Sequence, residues 1–80
     1  MRSKIQKEFG QTVRKIRNDK KISQEYFADL CGLHRTYMSD IELGKRNVSL
    51  ENIEKIALSL NLKVSELFME VEKNVRIWRV

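Results

Sequence analysis

The sequence contains no proline and only three glycines, and its apolar residues recur mostly at steps of three and four. Proline and glycine are the residues that most often interrupt regular structure, and this spacing matches the helical turn rather than the alternation of a strand. A chain of 80 residues has room for only one core. We therefore predict an all-α fold, a compact five-helix bundle, with one domain over 1–73 and a tail over 74–80.

Composition excludes several classes of function. Cys31 is the only cysteine and cannot close an intrachain disulfide, and with His34 as the only histidine there is no recurring spacing for a zinc site. No apolar run approaches the roughly 18 to 20 residues that a membrane span needs, and the first residues lack the apolar stretch of a signal peptide. We expect no metal, no cofactor, no membrane contact and a cytoplasmic location.

The first two helices are predicted from their capping residues. The first should begin near Ser3, whose hydroxyl can cap it while Gln6 reaches back, and should end near Asn18. The second should begin after Ser23 and end at Gly32. The residues expected to face the core are Ile5, Phe9, Val13 and Ile16, followed by Phe27, Ala28 and Cys31.

Three further helices follow the same logic. The third is predicted over 35–43 and stops at Gly44, which can adopt the left-handed conformation found at helix ends. Ser49 should cap the fourth, and Asn61 should close it. The fifth should begin near residue 64. Their expected core residues are Met38 and Ile41, then Leu50, Ile53, Ile56, Ala57 and Leu60, then Leu67, Phe68 and Val71.

The stretch 24–42 carries the most information about function. Two short helices joined by a three-residue turn that contains glycine are typical of a helix-turn-helix, and here the turn begins at Gly32. Ala28 lies one turn earlier, where a small side chain lets the two helices approach closely, and Gly32 supplies the positive φ of the turn. Leu33, Met38 and Ile41 should fill the angle between the helices. The bundle should therefore contain a helix-turn-helix.

The run SQEYFADLCGLHRTYMSDIELGKRNVSLENIEKIALSL, continued to VSELF, resembles the phage Cro/repressor type of helix-turn-helix regulators. Within that family, LHRTYMSDIELGKRN is most similar to the small controller proteins of restriction-modification systems. The resemblance implies a regulator that binds operator DNA as a dimer and times the expression of its companion enzymes. Related antitoxins and phage repressors share the pattern and stay open as alternatives.

Two positions depart from the family pattern. His34 stands where the recognition helix usually begins with serine or threonine, and its role stays open between a phosphate contact and a solvated side chain. Lys63 precedes the fifth helix in place of a capping hydroxyl residue. Neither departure should disturb the apolar frame.

The third helix is expected to be the one that reads DNA, because the N-terminal residues of a recognition helix lead into the major groove. Its first exposed residues are Arg35 and Thr36, followed a turn later by Ser39 and Asp40. Arginine reads guanine through O6 and N7, and threonine can bond a base edge or contact a thymine methyl. Each of these residues could also be an ordinary solvated surface residue, Asp40 most of all because its charge repels phosphate.

The resemblance assigns roles to the same region. It implies base reading by Arg35, Thr36 and, less regularly, Asp40, and a structural ion pair between Arg17 and Glu42. Phosphate contacts are expected from helix ends and loops beside the groove. With those implied by the resemblance, the residues assigned to the DNA backbone are Gln24, Tyr37, Ser39, Lys45, Arg46 and Asn47.

Charge is distributed unevenly along the chain, whose net charge is +5. Residues 1–22 contain eight basic and two acidic side chains, whereas residues 48–72 contain two basic and five acidic ones. The basic half should face DNA, and the acidic half should be available for protein contact. We expect a homodimer whose interface consists of Leu62, Val64, Phe68, Val71 and Trp78. The alternative is that these residues complete the core within one chain.

Enzymatic function is not expected, because no nucleophile has a base partner, His34 has no paired acid at a suggestive spacing and no glycine-rich phosphate loop occurs. No small-molecule substrate is implied. The main alternative from another class is a helix-turn-helix module that acts through protein partners, such as a toxin or a polymerase subunit.

Overall fold

The computed structural model describes residues 4–73, which form five α-helices and, within that range, no strand. The all-α prediction is confirmed. The expected Ser3 cap, Trp78 and the tail over 74–80 lie outside the described residues. The helices are α1 (Lys4–Asp19), α2 (Gln24–Cys31), α3 (Arg35–Glu42), α4 (Leu50–Ser59) and α5 (Val64–Lys73).

The helix ends follow the predicted capping chemistry. The Ser23 hydroxyl accepts a hydrogen bond from the Tyr26 amide at 3.1 Å at the start of α2, and the Ser49 hydroxyl accepts one from the Asn52 amide at 3.2 Å at the start of α4. Each satisfies one of the amides that a helix N-terminus leaves without an intrahelical partner. Gly32, with φ at 70°, ends α2 in the left-handed conformation, so the predicted turn into α3 is confirmed.

The starts of α3 and α5 are built without the usual serine or threonine cap. His34 is the N-cap of α3, where its Nδ1 accepts a hydrogen bond from the Thr36 amide at 3.2 Å. At the start of α5 the direction is reversed, since the Lys63 amide donates to Glu66 Oε1 at 2.8 Å. That bond is the acidic half of a capping box. His34 therefore caps α3, while at α5 a Glu66 carboxylate satisfies the amide of Lys63.

Every helix contributes one face to the core. Its members are Phe9, Val13, Phe27, Ala28, Cys31, Met38, Ile41, Ile56, Ala57, Leu60, Leu67 and Val71. Leu50 was expected among them, but its side chain is 82% exposed. As the first residue of α4 it lies beyond the edge of the core, and the buried stripe of that helix begins only with the partly buried Ile53.

Contact between α1 and α3 depends on Gly10, which is buried. A Cβ atom on this residue would collide with the carbonyl oxygen of Ile41 and lie 2.9 Å from that of Glu42. Side chains here would push the helices apart, so glycine permits the backbone of α1 to rest directly on the end of α3. From the sequence, a close approach of two helices was predicted only at Ala28, so this contact between α1 and α3 was not expected.

Candidate nucleic-acid interface

The helix-turn-helix consists of α2 and α3, joined by Gly32, Leu33 and His34. Its inner angle is filled by Ala28, Met38 and Ile41, which are buried, while Leu33 packs against the same core at partial exposure. The outer side of α3 therefore faces solvent along its first turn. This arrangement presents the N-terminal end of a short helix on the protein surface, as a recognition helix requires.

The two main base-reading candidates stand at that end. Arg35 and Thr36 are the first two residues of α3, and both are exposed. The His34 cap fixes the backbone amide of Thr36 and with it the start of the helix. An exposed guanidinium and an exposed hydroxyl on a capped helix terminus can approach the edges of bases in a major groove.

A buried charged cluster holds the other end of α3. Arg17 on α1 donates to Glu42 through Nε at 2.7 Å and through Nη2 at 3.0 Å, and the two side chains are only 9% and 2% exposed. Arg17 Nη1 also donates to the Ile22 carbonyl at 2.7 Å. A two-pronged pair of this kind is directional and strong. It fixes the position of α3 relative to α1 and to the loop before α2.

Gln24, one of the residues assigned to the DNA backbone, joins this cluster. Its Nε2 donates to Glu42 Oε1 at 3.0 Å. A primary amide carries two N–H groups, so this bond leaves a second one for another acceptor. Gln24 is half-buried at the first position of α2, and the buried cluster therefore orients a side chain that lies at a surface helix end.

A second, exposed cluster surrounds the loop after α3. Arg46 contacts Asp40 Oδ2 at 3.3 Å through both Nε and Nη2. Its guanidinium carbon also lies over the Tyr37 ring, 5.3 Å from the centroid. The Tyr37 hydroxyl accepts a hydrogen bond from Asn52 Nδ2 at 3.2 Å, which ties the ring to α4. Spacing in the sequence indicated none of these contacts.

The remaining residues assigned to the DNA backbone lie around the recognition helix. Ser39 is half-buried on α3, whereas Lys45, Arg46 and Asn47 are all exposed in the loop between α3 and α4. The loop is held to the helix because the Lys45 amide donates to the Asp40 carbonyl at 2.9 Å. Exposed cations in a loop fixed beside a recognition helix are well placed for phosphate.

The residues assigned to a dimer interface do not form one exposed set. Val64 is 39% exposed, while Leu62 and Phe68 are partly buried and pack against the core. Phe68 stacks on Phe9 with the ring centroids 5.6 Å apart. Val71 is fully buried within the chain and is removed from the interface, because its side chain has no surface left for a partner.

Other apolar side chains on α4 and α5 are more exposed than those predicted from the sequence. Leu58 is 69% exposed, Met69 is 62% exposed, and Leu50 at the start of α4 is exposed as well. Periodicity alone separates inner from outer faces, but it does not indicate that an outer face carries leucine or methionine for a partner. These residues enlarge the apolar surface of the acidic half.

Within residues 4–73, no group of three or more histidine, cysteine or acidic side chains is arranged to hold a metal ion. The same residues include no helix with the length and apolar character to cross a membrane. Burial raises the pKa of the Cys31 thiol, and a hydrogen bond with Ser59 opposes that rise in part. A buried thiol with a raised pKa is protonated at neutral pH and is a poor nucleophile.

Known proteins share this fold and sequence. A helix-turn-helix family model, HTH_3, matches residues 13–67. The control protein C.MunI of Mycoplasma sp is 53% identical over 66 residues, which cover 81% of this chain and 89% of C.MunI. The crystal structure of the restriction-modification controller protein C.AhdI from Aeromonas hydrophila is similar with a TM-score of 0.75 and 48% identity, covering 78% of this chain and 94% of C.AhdI.

A further solved structure is the tetramer of the controller protein C.Esp1396I in complex with its natural 35 base-pair operator. It is similar to this chain with a TM-score of 0.83 and 31% identity, covering 89% of this chain and 93% of the other. The fold and the capped, exposed end of α3 define a helix-turn-helix protein. With these likenesses, the chain belongs to the helix-turn-helix family and, within it, to the controller proteins of restriction-modification systems.

Proposed function

We propose that this chain is a sequence-specific transcription regulator that binds a palindromic operator as a homodimer and controls a restriction-modification system. The observation that carries the proposal is the position of Arg35 and Thr36, exposed on the first turn of α3. The buried pair of Arg17 and Glu42 holds that helix from the opposite end. Like other regulators that act on operator DNA, it would work in the cytoplasm.

The proposed DNA contacts are of two kinds, base recognition and phosphate binding. Arg35 reads a guanine through O6 and N7, and Thr36 contacts a neighbouring base edge or thymine methyl. Gln24 and the exposed residues of the loop after α3 grip phosphates on either side and fix the register of the helix in the groove. Because such contacts release counterions, binding weakens steeply with salt.

The similar proteins support this reading. C.Esp1396I was solved as a tetramer on its natural 35 base-pair operator, and C.AhdI is a restriction-modification controller protein. A shared fold does not by itself assign a function. The proposal therefore depends on the exposed arginine and threonine of this chain, with the relatives as support.

The homodimer is supported by apolar surface on α4 and α5. Leu58, Val64 and Met69 are exposed there, on the half of the chain that is rich in acidic residues. Two copies related by a two-fold axis would present two recognition helices about 34 to 36 Å apart, which is one turn of DNA. The operator is then a palindrome, with each half-site contributing part of the affinity.

A gel-shift titration with genomic fragments, followed by sequencing of the retained DNA, tests the function. We expect a recovered palindrome whose half-sites lie one helical turn apart, with random DNA bound far more weakly. Retention without any shared sequence would contradict specific recognition. An absence of DNA binding would instead favour the module that acts through a protein partner.

Sedimentation equilibrium at micromolar concentration tests the dimer. We expect a mass above the 9.5 kDa of one chain, and a shift toward that mass in a Val64→Glu variant. Leu30→Glu is the matched control, because Leu30 is an exposed apolar residue of α2 and its change should leave the dimer intact. A monomer mass for the unchanged protein at every concentration, with one protomer per site, would overturn the dimer.

A further inference from the structure

We propose that Asp40 is a specificity-determining positioning residue, which holds Arg46 against the recognition helix and competes with DNA phosphate for its guanidinium. The inference rests on the proposed DNA-binding function and assigns Asp40 a role other than base reading. Competition of this kind weakens contact with any DNA, so that binding depends more on the bases that Arg35 and Thr36 read.

The geometry begins with the path of the loop. Gly44, with φ at 77°, reverses the chain after α3, and the amide of Lys45 donates to the Asp40 carbonyl at 2.9 Å. The chain therefore returns alongside α3. This return places the Arg46 side chain beside Asp40 and Tyr37 of α3.

Two partners then hold the guanidinium. Nε and Nη2 both lie 3.3 Å from Asp40 Oδ2, and the guanidinium carbon lies 5.3 Å from the centre of the Tyr37 ring. The ring is itself fixed, because its hydroxyl accepts from Asn52 Nδ2 and the Asn52 amide donates to the Ser49 cap of α4. Arg46 is thus oriented by a carboxylate and an aromatic face rather than extended into solvent.

The exposure of the pair makes exchange with phosphate feasible. The Arg46 and Asp40 side chains are 51% and 26% exposed, and exposed ion pairs are weak because water competes for both partners. A phosphate oxygen offers the guanidinium an equally good or better acceptor. At a poorly matched site, however, the carboxylate keeps Arg46 occupied and so withholds it from phosphate.

Asp40 is poorly suited to read a base by itself. A carboxylate reads cytosine by accepting a hydrogen bond from N4, but Oδ2 of Asp40 already accepts from Arg46. Reading a base through Oδ2 would require this oxygen to give up its contact with Arg46. The structure instead places the negative charge between the base-reading end of α3 and the loop that grips phosphate.

The experiment measures binding to the selected operator and to random DNA of equal length at several salt concentrations, with Asp40→Asn, Arg46→Gln and the double variant. For Asp40→Asn we expect about 3- to 10-fold tighter binding to random DNA, a smaller gain on the operator, and a salt slope steeper by about one phosphate contact. In the Arg46→Gln background the same change should have little effect.

Other outcomes overturn the proposal. Loss of operator binding with random DNA unchanged would make Asp40 a base reader, and equal losses on both DNAs would make it a residue that prepares Arg46 for phosphate. An equal gain in DNA binding from Asp40→Asn with and without Arg46 would mean that Asp40 acts only through its charge. Asp29→Asn is the matched control, since Asp29 is an exposed acid of α2, and it should leave the ratio of specific to random binding unchanged.

A measurement without DNA separates this inference from the proposed function. In the free protein, the Nε–H resonance of Arg46 should move in Asp40→Asn and stay in place in Asp29→Asn. If that resonance does not respond to Asp40→Asn, the pairing fails whether or not the protein binds DNA. If it responds and the unchanged protein binds no DNA, the proposed function fails while the pairing stands.

Discussion

Helix α3 carries two arginine–carboxylate pairs that share their chemistry and differ in burial. Glu42 meets Arg17 at 2.7 Å with side chains 2% and 9% exposed, whereas Asp40 meets Arg46 at 3.3 Å with side chains 26% and 51% exposed. Losing one partner of the buried pair leaves a charge without water, while water readily replaces a partner of the exposed pair. The first pair therefore positions the helix, and the second is exposed enough to exchange partners if α3 binds DNA as proposed.

The largest effect is expected at the buried pair. Glu42→Ala should lower the free energy of unfolding by about 3 to 5 kcal/mol, because Arg17 is left buried and unpaired. Replacing both residues together, as Arg17→Met with Glu42→Leu, should cost less than Glu42→Ala alone. Urea unfolding of the three proteins measures this order.

The exposed pair of Asp40 and Arg46 is the control for the effect of burial. Asp40→Ala should change the free energy of unfolding by less than about 1 kcal/mol. If Asp40→Ala and Glu42→Ala destabilised the protein equally, burial would not distinguish the pairs. A Glu42→Gln variant with unchanged melting and DNA affinity would also count against a structural role for the buried pair.

Gly10 lies where α1 packs against the end of α3, so changing it tests the same helix contact through packing rather than charge. Gly10→Ala should lower the free energy of unfolding by about 1 to 3 kcal/mol, because the added methyl group meets the Ile41 and Glu42 carbonyls. Alanine is otherwise favoured over glycine inside a helix by about 1 kcal/mol, so the sign itself is informative. A stabilised variant in a thermal melt would show that α1 and α3 separate easily.

Gly32→Ala is the variant to compare with Gly10→Ala, because the two glycines are required for different reasons. An added Cβ at Gly32 meets no atom within 4 Å, but φ is 70°. The expected cost is about 1 to 2 kcal/mol from left-handed strain alone. The two glycines thus separate steric collision from backbone conformation as reasons for keeping the residue.

The fold was largely predictable because its determinants are local. Ser23, Gly32 and Ser49 act on the backbone within a few residues, and they occupy the helix ends predicted from them. The apolar periodicity identified the core in the same way. Leu50 was the exception, because periodicity assigns a residue to a face without showing where the core stops.

The site was less predictable because its contacts join distant elements. Nothing near Gly10 in the sequence indicates that carbonyls of α3 lie against it. Arg46 and Asp40 are six residues apart, a spacing that no helical rule pairs, and they meet only because Gly44 reverses the chain. The stacking of Phe68 on Phe9 was hidden for the same reason.

The smallest effect is expected at the His34 cap. Serine is a stronger N-cap than most residues, so His34→Ser should raise the free energy of unfolding by about 0.5 kcal/mol without disturbing either ion pair. A thermal melt measures the change. An unchanged or lower melting temperature would indicate that the Nδ1 contact with the Thr36 amide is already as good a cap as a hydroxyl.

If the exposed end of α3 reads DNA sequence, Arg35→Ala should lower specific binding far more than binding to random DNA. Fluorescence anisotropy titrations should show a loss of about 1 to 3 kcal/mol on the selected operator, a relaxed preference at one guanine, and a much smaller loss on random DNA. Arg14→Ala, at an exposed arginine of α1, should not alter the preference at any base. Equal losses on operator and random DNA for Arg35→Ala would show that Arg35 does not read a base.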